Sequence, residues 1–223
     1  MFWKPAPQLI LSNEAIQTAI EPPDLVEEFG IDDKWFPEYR ATLGRGHKFR
    51  FSYVTLSYDE EATINRTFTF QGRTLTVGAP AVADVEWDLW KLGYEWDFVA
   101  NDQGYFGVTA DLRLNEITAT VDSPVLRSPA MTDTTAPVPT IGVAGRGYVS
   151  GALAIGGEFS GLKITRDEFE VKFLDFDIHA TISVSRNVGA QVGYRSLDAD
   201  YVVDDDTGDL EMRGVYLGGF VRF

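Results

Sequence analysis

From residue 36 onward the chain alternates apolar and polar residues with a period of two, which only a β-strand with two unlike faces satisfies. In "FGVTADLRLN", Phe106, Val108, Ala110, Leu112 and Leu114 take one face, and Gly107, Thr109, Asp111, Arg113 and Asn115 the other. "LDFDIHATISV" sets Leu174, Phe176, Ile178, Ala180, Ile182 and Val184 against Asp175, Asp177, His179, Thr181 and Ser183. "WKLGYEWDF" sets Trp90, Leu92, Tyr94, Trp96 and Phe98 against Lys91, Gly93, Glu95 and Asp97. "EYRATLG", "KFRFSYVTLSY", "TIGVAGRGYV", "LAIGGEFSGLKI", "VGAQVGYRS" and the closing "GVYLGGFVRF" continue the pattern. With a less regular first strand inside "FWKPAPQLIL", about ten strands are expected.

The connections alternate as well. "GRGH", "ANDQG", "SGA" and "SRN" are short, whereas residues 12–35, 59–82, 121–138, 165–171 and 204–209 form long polar or acidic links. An up-and-down meander with its short turns at one end and its long loops at the other produces this order, and membrane barrels have that asymmetry. A Greek-key sandwich would not sort its loops in this way. "TFTFQGRTLTV" reads as an extended hairpin within one long loop, and "SNEAIQTAIEPPDLVEEFG" has helix-like spacing within another.

Alternation alone leaves two barrels open: a soluble one with its apolar face around a ligand, as in lipocalins, or a membrane one with that face outward. Three features favour the membrane. The polar face is rich in glycine (Gly93, Gly107, Gly142, Gly156, Gly193, Gly218), which suits a crowded interior and leaves some free space there. It carries both charge signs at mid-strand, so Glu38, Arg40, Arg50, Lys91, Glu95, Asp111, Arg113, Arg146, Glu158, Asp175, Asp177 and Arg195, with His179, are expected to line the lumen. Aromatic residues gather by the short turns: Phe49, Trp96, Phe98, Tyr105 and Phe106, with the terminal Phe223, are expected in an interfacial girdle.

Composition narrows the functions. A net charge of −15 opposes a nucleic-acid partner, and the absence of Cys excludes thiolate chemistry and cysteine-held metals. No apolar run is long enough for a transmembrane helix, and "MFWKPAPQLI" does not read as a signal peptide, so an exported chain is expected to be the mature part. The acidic residues concentrate in the long loops, as in Glu14 to Asp33, Asp59 to Glu61 and Asp204 to Asp209, while Arg45, Lys48 and Arg186 lie near the short turns. "DDDTGD" invites calcium but lacks the spacing of an EF-hand, and a tight turn explains it equally well. No cofactor or metal is expected.

The closing "GVYLGGFVRF", apolar or small at alternate positions up to Phe223, resembles the C-terminal strand of Gram-negative outer-membrane proteins. That resemblance implies a bacterial outer-membrane location, contact with lipid and lipopolysaccharide, and recognition by the barrel-assembly machinery. "APVPTIGVAGRGY", "WDLWKLGYEWDF" and "VGAQVGYRSLDADY" further resemble a group of small uncharacterised outer-membrane barrels. Asp177-Ile-His179 resembles the Asp-x-His element of the omptin proteases, which implies a hydrolytic carboxylate–imidazole pair. Here, however, His179 stands near mid-strand rather than at a rim, and Asp84 and Asp88 are the only candidates for a second acidic pair.

The expectation is one all-β domain over residues 1–223: an antiparallel up-and-down barrel of about ten strands. Its function is expected to be at most a narrow cation-preferring pore lined by Lys91, Glu95, Arg113, Asp175 and Arg195, with small ions as candidate partners; otherwise it is a structural or interaction barrel acting through its acidic loops. An omptin-like hydrolase and a soluble lipocalin-like barrel are the alternatives. Pro5 and Pro7 lack ladder donors, so a bulge or an unpaired stretch is expected in the first strand.

Overall fold

A computed structural model gives the chain as a closed antiparallel barrel of ten strands with a small hairpin beside it. It describes residues 1–12, 33–63, 68–70, 73–124, 126, 128–166, 169–203 and 206–223. The strands are β1 (Phe2–Ser12), β2 (Phe36–Arg45), β3 (His47–Thr63), β4 (Phe68–Phe70), β5 (Arg73–Leu75), β6 (Pro80–Asn101), β7 (Gly104–Asp122), β8 (Ala130–Tyr148), β9 (Leu153–Arg166), β10 (Phe169–Ser183), β11 (Val188–Val203) and β12 (Asp206–Val221). Each barrel strand pairs with its predecessor, β3 reaches β6 across the β4–β5 hairpin, and β1 closes the ring between β12 and β2. That hairpin is the one anticipated in "TFTFQGRTLTV". The helix-like stretch at 12–30, beyond Ser12, and the first two residues of "DDDTGD" lie outside the described residues.

Side chains set the short turns. Asn101 Oδ1 accepts from the amides of Gln103 and Gly104, Ser150 Oγ from those of Ala152 and Leu153, and Ser185 Oγ from those of Asn187 and Val188. Each mimics a backbone turn and fixes the register of its hairpin. In "GRGH" the chain reverses at Gly46, whose φ of 67° suits glycine.

The strands run for up to 22 residues, whereas about 9–11 suffice to cross a membrane. The excess is explained by a reversal of polarity partway along the strands. Towards the short turns, apolar side chains face outward: Phe49, Leu92, Tyr94, Trp96, Val108, Leu112, Ile141, Ile155, Phe159, Phe176, Ile178, Val192, Val215 and Leu217 are all exposed. Towards the long loops the faces exchange roles. On β3 the inward side becomes Val54, Leu56 and Tyr58; on β6 it becomes Leu89, Trp87, Ala83 and Ala81; on β7, Ala119 and Val121. Phe173, Leu197 and Met212 are buried inside at the matching height of β10, β11 and β12. The outward positions there are Asp59, Asp84, Glu86, Glu116 and Asp122, all exposed. The two barrels left open by the alternation are thus stacked in one molecule, an apolar-out segment below and an apolar-in segment above.

Two seams divide the upper segment. β8 and β9 pair only over Ile141–Tyr148 with Gly161–Ala154, and β1 meets β2 only at Phe2↔Pro37 and Trp3↔Phe36. Among the described residues, the wall above these points is two sheets, β3-β6-β7-β8 and β9-β10-β11-β12-β1, with their inward faces in contact. The prolines lie along the seams. Pro5 and Pro7 on β1, like Pro137 and Pro139 on β8, are two residues apart, so each pair's nitrogens point to one edge of the strand. The other edge keeps its ladder: β1 pairs with β12 without interruption from Phe2↔Leu217 to Ser12↔Thr207, and β8 pairs with β7 through both of its prolines. No bulge occurs at Pro5 and Pro7; of the two expected features it is the unpaired stretch that is found, on the edge of β1 that leaves β2 after Trp3. These prolines face an edge with no ladder to lose, and they guard it against stray pairing. The ladder irregularity that does occur lies at Asp97/Val99, beside Phe98.

The height of the apolar belt is testable. Leu112→Arg lies inside it and is expected to cost about 2–4 kcal/mol. Thr118→Arg, on the same face of β7 above the belt, should cost less than about 0.5 kcal/mol. Urea titrations of the two variants in lipid vesicles distinguish them; equal costs would place the boundary elsewhere.

Candidate functional site

The lower lumen is filled by side chains that meet across it. Asp175 on β10 accepts from Arg113 Nη1 on β7 at 2.5 Å and from Arg195 Nε and Nη2 on β11 at 3.0 and 2.9 Å. Arg195 extends to Glu38 on β2, and Glu38 accepts two bonds from Arg40 at 2.7 and 3.0 Å. Arg40 reaches Asp177 on β10, which also accepts from Tyr216 Oη at 2.8 Å and binds His179 Nδ1 at 2.8 Å. On the opposite wall Glu95 takes Lys48 and Arg50, Asp97 takes Lys48, and Glu158 on β9 is bridged by Arg50 of β3 and Lys91 of β6. Lys91 stands 3.5 Å from Asp111.

Apart from Lys48–Glu95, these bonds are not between directly opposed residues of the sheet. Lys91 lies directly opposite Arg113, and Asp177 opposite Glu158, both like-charge pairings that would repel if left alone. Lys91 instead reaches Glu158 on β9, and Asp177 is met by Arg40 of β2. Seven carboxylates (Glu38, Glu95, Asp97, Asp111, Glu158, Asp175, Asp177) meet seven basic groups (Arg40, Lys48, Arg50, Lys91, Arg113, Arg146, Arg195), so the network is neutral as a whole. The chain's excess of acid lies outside it. Lumen glycines make room for this filling rather than for a channel: a Cβ at Gly93 would lie 2.0 Å from Asp111 Oδ1, and one at Gly193 would lie 2.5 Å from the Tyr216 ring.

Above the network sits an apolar cap. Trp3, Phe36, Val54, Leu56, Tyr58, Trp87, Leu89, Phe173, Leu197, Met212 and Tyr216 form one buried cluster. Cations seat against its lower edge, with the Arg195 guanidinium 5.0 Å from the Trp3 ring and that of Arg113 5.0 Å from Phe173. Between cap and network a cavity of about 10 Å³ remains, with Val54 and Leu89 above and Lys91, Arg113 and Arg195 below.

The thirteen charged or histidine residues anticipated for the lumen face inward; Glu38, Arg40, Arg113, Arg146, Asp175, Asp177, His179 and Arg195 fall in one bonded cluster, and Arg50, Lys91, Glu95, Asp111 and Glu158 in a second. The expectation omitted Lys48, which sits beside a turn in sequence but points into the lumen, and Tyr216, hidden between apolar neighbours of the last strand. Of the anticipated aromatics, Phe49, Trp96, Phe98, Phe106 and Phe223 are exposed. Tyr105 instead shares the inward face with Arg146, and Lys48 Nζ lies 3.4 Å above its ring. Asp84 and Asp88 take the outward face of β6, Asp88 held by Tyr53 and Thr55, and so never meet His179. His179 is clamped between Asp177 and Arg146 Nη2, at 3.3 Å.

On the outer surface above the belt, Asp200 of β11 faces Asp209 of β12, and Lys172 of β10 binds Asp200 at 2.6 Å. Partial burial, and then the neighbouring Asp200 carboxylate, hold the Asp209 carboxyl above its ordinary range. Ionised Asp209 therefore opposes folding. The stability it allows is complete below the unfolded pKa and is lost as pH rises through the folded one. Asp209→Asn should raise the melting temperature at neutral pH and leave it unchanged near pH 3. A gain at both values would exclude the electrostatic cause. In the lumen, Arg113→Ala leaves buried Asp175 with Arg195 alone and is expected to cost about 1.5–3 kcal/mol in urea unfolding.

No family model matches the chain, and no curated protein matches it. Among solved structures, the toluene transporter TodX of Pseudomonas putida is similar at a TM-score of 0.37 and 5% identity, over 99% of this chain and 87% of that one.

Proposed function

We propose that the chain is an integral barrel of a bacterial outer membrane, closed to ions, which holds a second, soluble-type β segment and its acidic loops outside the lipid. The observation that carries this reading is the change of polarity along the strands. The lower exterior matches hydrocarbon and the upper exterior matches water, so the short turns are periplasmic and the long loops extracellular. Lipid and lipopolysaccharide are then its surroundings, and β12 is the element offered to the assembly machinery.

A cation-preferring pore through Lys91, Glu95, Arg113, Asp175 and Arg195 gains no support from the geometry. An ion passing there would have to displace paired charges and then cross the apolar cap. Hydrolysis at His179 is likewise unsupported: Asp177 and Arg146 engage both ring nitrogens, the first at 2.8 Å and the second at 3.3 Å, and no second acidic pair converges on them among the described residues. The role therefore rests with the surface the barrel presents.

Planar-bilayer recording tests this. Refolded protein, shown to be inserted by protease protection, is expected to give no conductance steps in a salt gradient. Reproducible cation-selective steps would overturn the closed-barrel reading and restore the pore.

A further inference from the structure

Arg45 and His47 flank Gly46 in the turn between β2 and β3, directly opposite one another and both exposed on the outer wall. His47 also lies opposite Trp96 of β6, and in the next row Leu43, Phe49 and Tyr94 stand side by side. This corner is fixed in place. The Gly46 carbonyl accepts from the Asp97 amide at 2.7 Å, which ties the turn to β6, and the His47 ring lies parallel to that of Trp96 with centroids 6.3 Å apart. His47 Nδ1 and Tyr94 Oη share a hydrogen bond of 2.5 Å. If Tyr94 donates it, His47 Nε2–H is left over; if His47 donates it, the Tyr94 O–H is. One donor stays available in either arrangement. Arg45 makes no ion pair among the described residues, whereas nearby Lys48 turns inward to Glu95 and Asp97. Across the ring, the outward side chains towards the same end of β9 to β12 are the aliphatic Ile155, Ile182, Val188 and Val221.

We propose that this corner binds the headgroup phosphate of one anionic phospholipid in the periplasmic leaflet. The proposal rests on the membrane reading above, which puts Leu43, Phe49 and Leu92 in hydrocarbon and the turn in water, so that lipid phosphates stand level with Arg45 and His47. A guanidinium without a carboxylate takes a phosphate oxygen through charge-assisted bonds, and the spare donor of the His47–Tyr94 pair takes another. Trp96, at 48% exposure, offers the amphipathic ring that favours this depth, and the acyl chains lie along Leu43, Phe49 and Leu92. An anionic headgroup is preferred to a zwitterionic one, because the ammonium of the latter competes with Arg45 for the same phosphate.

The test uses the full chain refolded in phosphatidylcholine vesicles that hold a minor share of phosphatidylglycerol with brominated acyl chains. Bromine quenches an indole it touches, and the part of the quenching removed by Trp96→Phe belongs to this site. Phosphatidylglycerol is expected at Trp96 roughly fivefold above its share of the bilayer, with the enrichment lost in Arg45→Ala. That substitution breaks no ion pair, so the variant folds. The converse vesicles, with the bromine on phosphatidylcholine, should show no enrichment. Inorganic phosphate added at constant ionic strength should leave the quenching unchanged; if it displaces the lipid, the corner is a free-anion site and the proposal falls. Equal enrichment in the native chain and Arg45→Ala, or none in either, also overturns it while leaving the membrane reading intact, because quenching by bulk lipid still reports insertion. No quenching by either brominated lipid would overturn both.

Discussion

The structure depends on the rule that a buried charge must be met by its opposite. Asp175 is the clearest instance. It is buried at 5% exposure, and guanidiniums from two other strands close on it. Such pairs link strands far apart in the ring: β7 to β10 through Arg113 and Asp175, β3 to β9 through Arg50 and Glu158, and β2 to β10 through Arg40 and Asp177. A ten-stranded ring has a lumen that long side chains can bridge, and barrels of about eight strands are already filled by their own side chains. The braces therefore do two things at once: they hold the ring in shape, and they fill its lower lumen.

The second constraint is the pair of media. On the membrane reading proposed above, a strand that leaves hydrocarbon and continues into water must exchange its faces, and here the exchange of polarity occurs within continuous ladders rather than at bulges. On β7 the outward side runs Leu112, Leu114, Glu116, Thr118 while the inward side runs Arg113, Asn115, Ile117, Ala119, with β6 and β8 paired on either side throughout. Backbone pairing is indifferent to the change because it involves no side chains. Only the solvent on each face differs. Once the interior is apolar the wall need not close to exclude water, and the two seams open at this level, each bordered by its pair of prolines.

How much of this was legible in the sequence follows from range. Alternation is local, so strands, hairpins, loop order and the inward set could be read from neighbours along the chain. The polarity exchange was also written locally, as a phase slip of one residue: Phe49, Phe51, Tyr53 give way to Val54, Leu56, Tyr58, and Leu89 and Trp90 mark the same step on β6. Taken strand by strand, such a slip looks like a ragged end; its recurrence at one height on β3, β6, β7, β11 and β12 is what gives it meaning. Partner choice was not legible. Glu38 and Arg195 lie 157 positions apart, and Arg40 and Asp177 lie 137 apart. Nor was it evident that the lumen glycines are filled by neighbours, since that depends on where the Asp111 and Tyr216 side chains go.

The distribution of charge then locates what the molecule can do. A neutral network inside and an excess of 15 acidic groups elsewhere mean that the field seen by other molecules arises from the outer wall and loops. Asp59, Asp84, Glu86, Glu116 and Asp122 on one sheet, and Asp198, Asp200, Asp209 and Glu211 on the other, lie just above the apolar belt. Lys172 and Arg213 offset only part of the second group. Such a surface repels anions and gathers cations over a distance set by ionic strength. The same electrostatics serves opposite ends in the two halves. Inside, charges are matched by partners across the lumen. Outside, they are left unmatched, and that is where a partner would feel them.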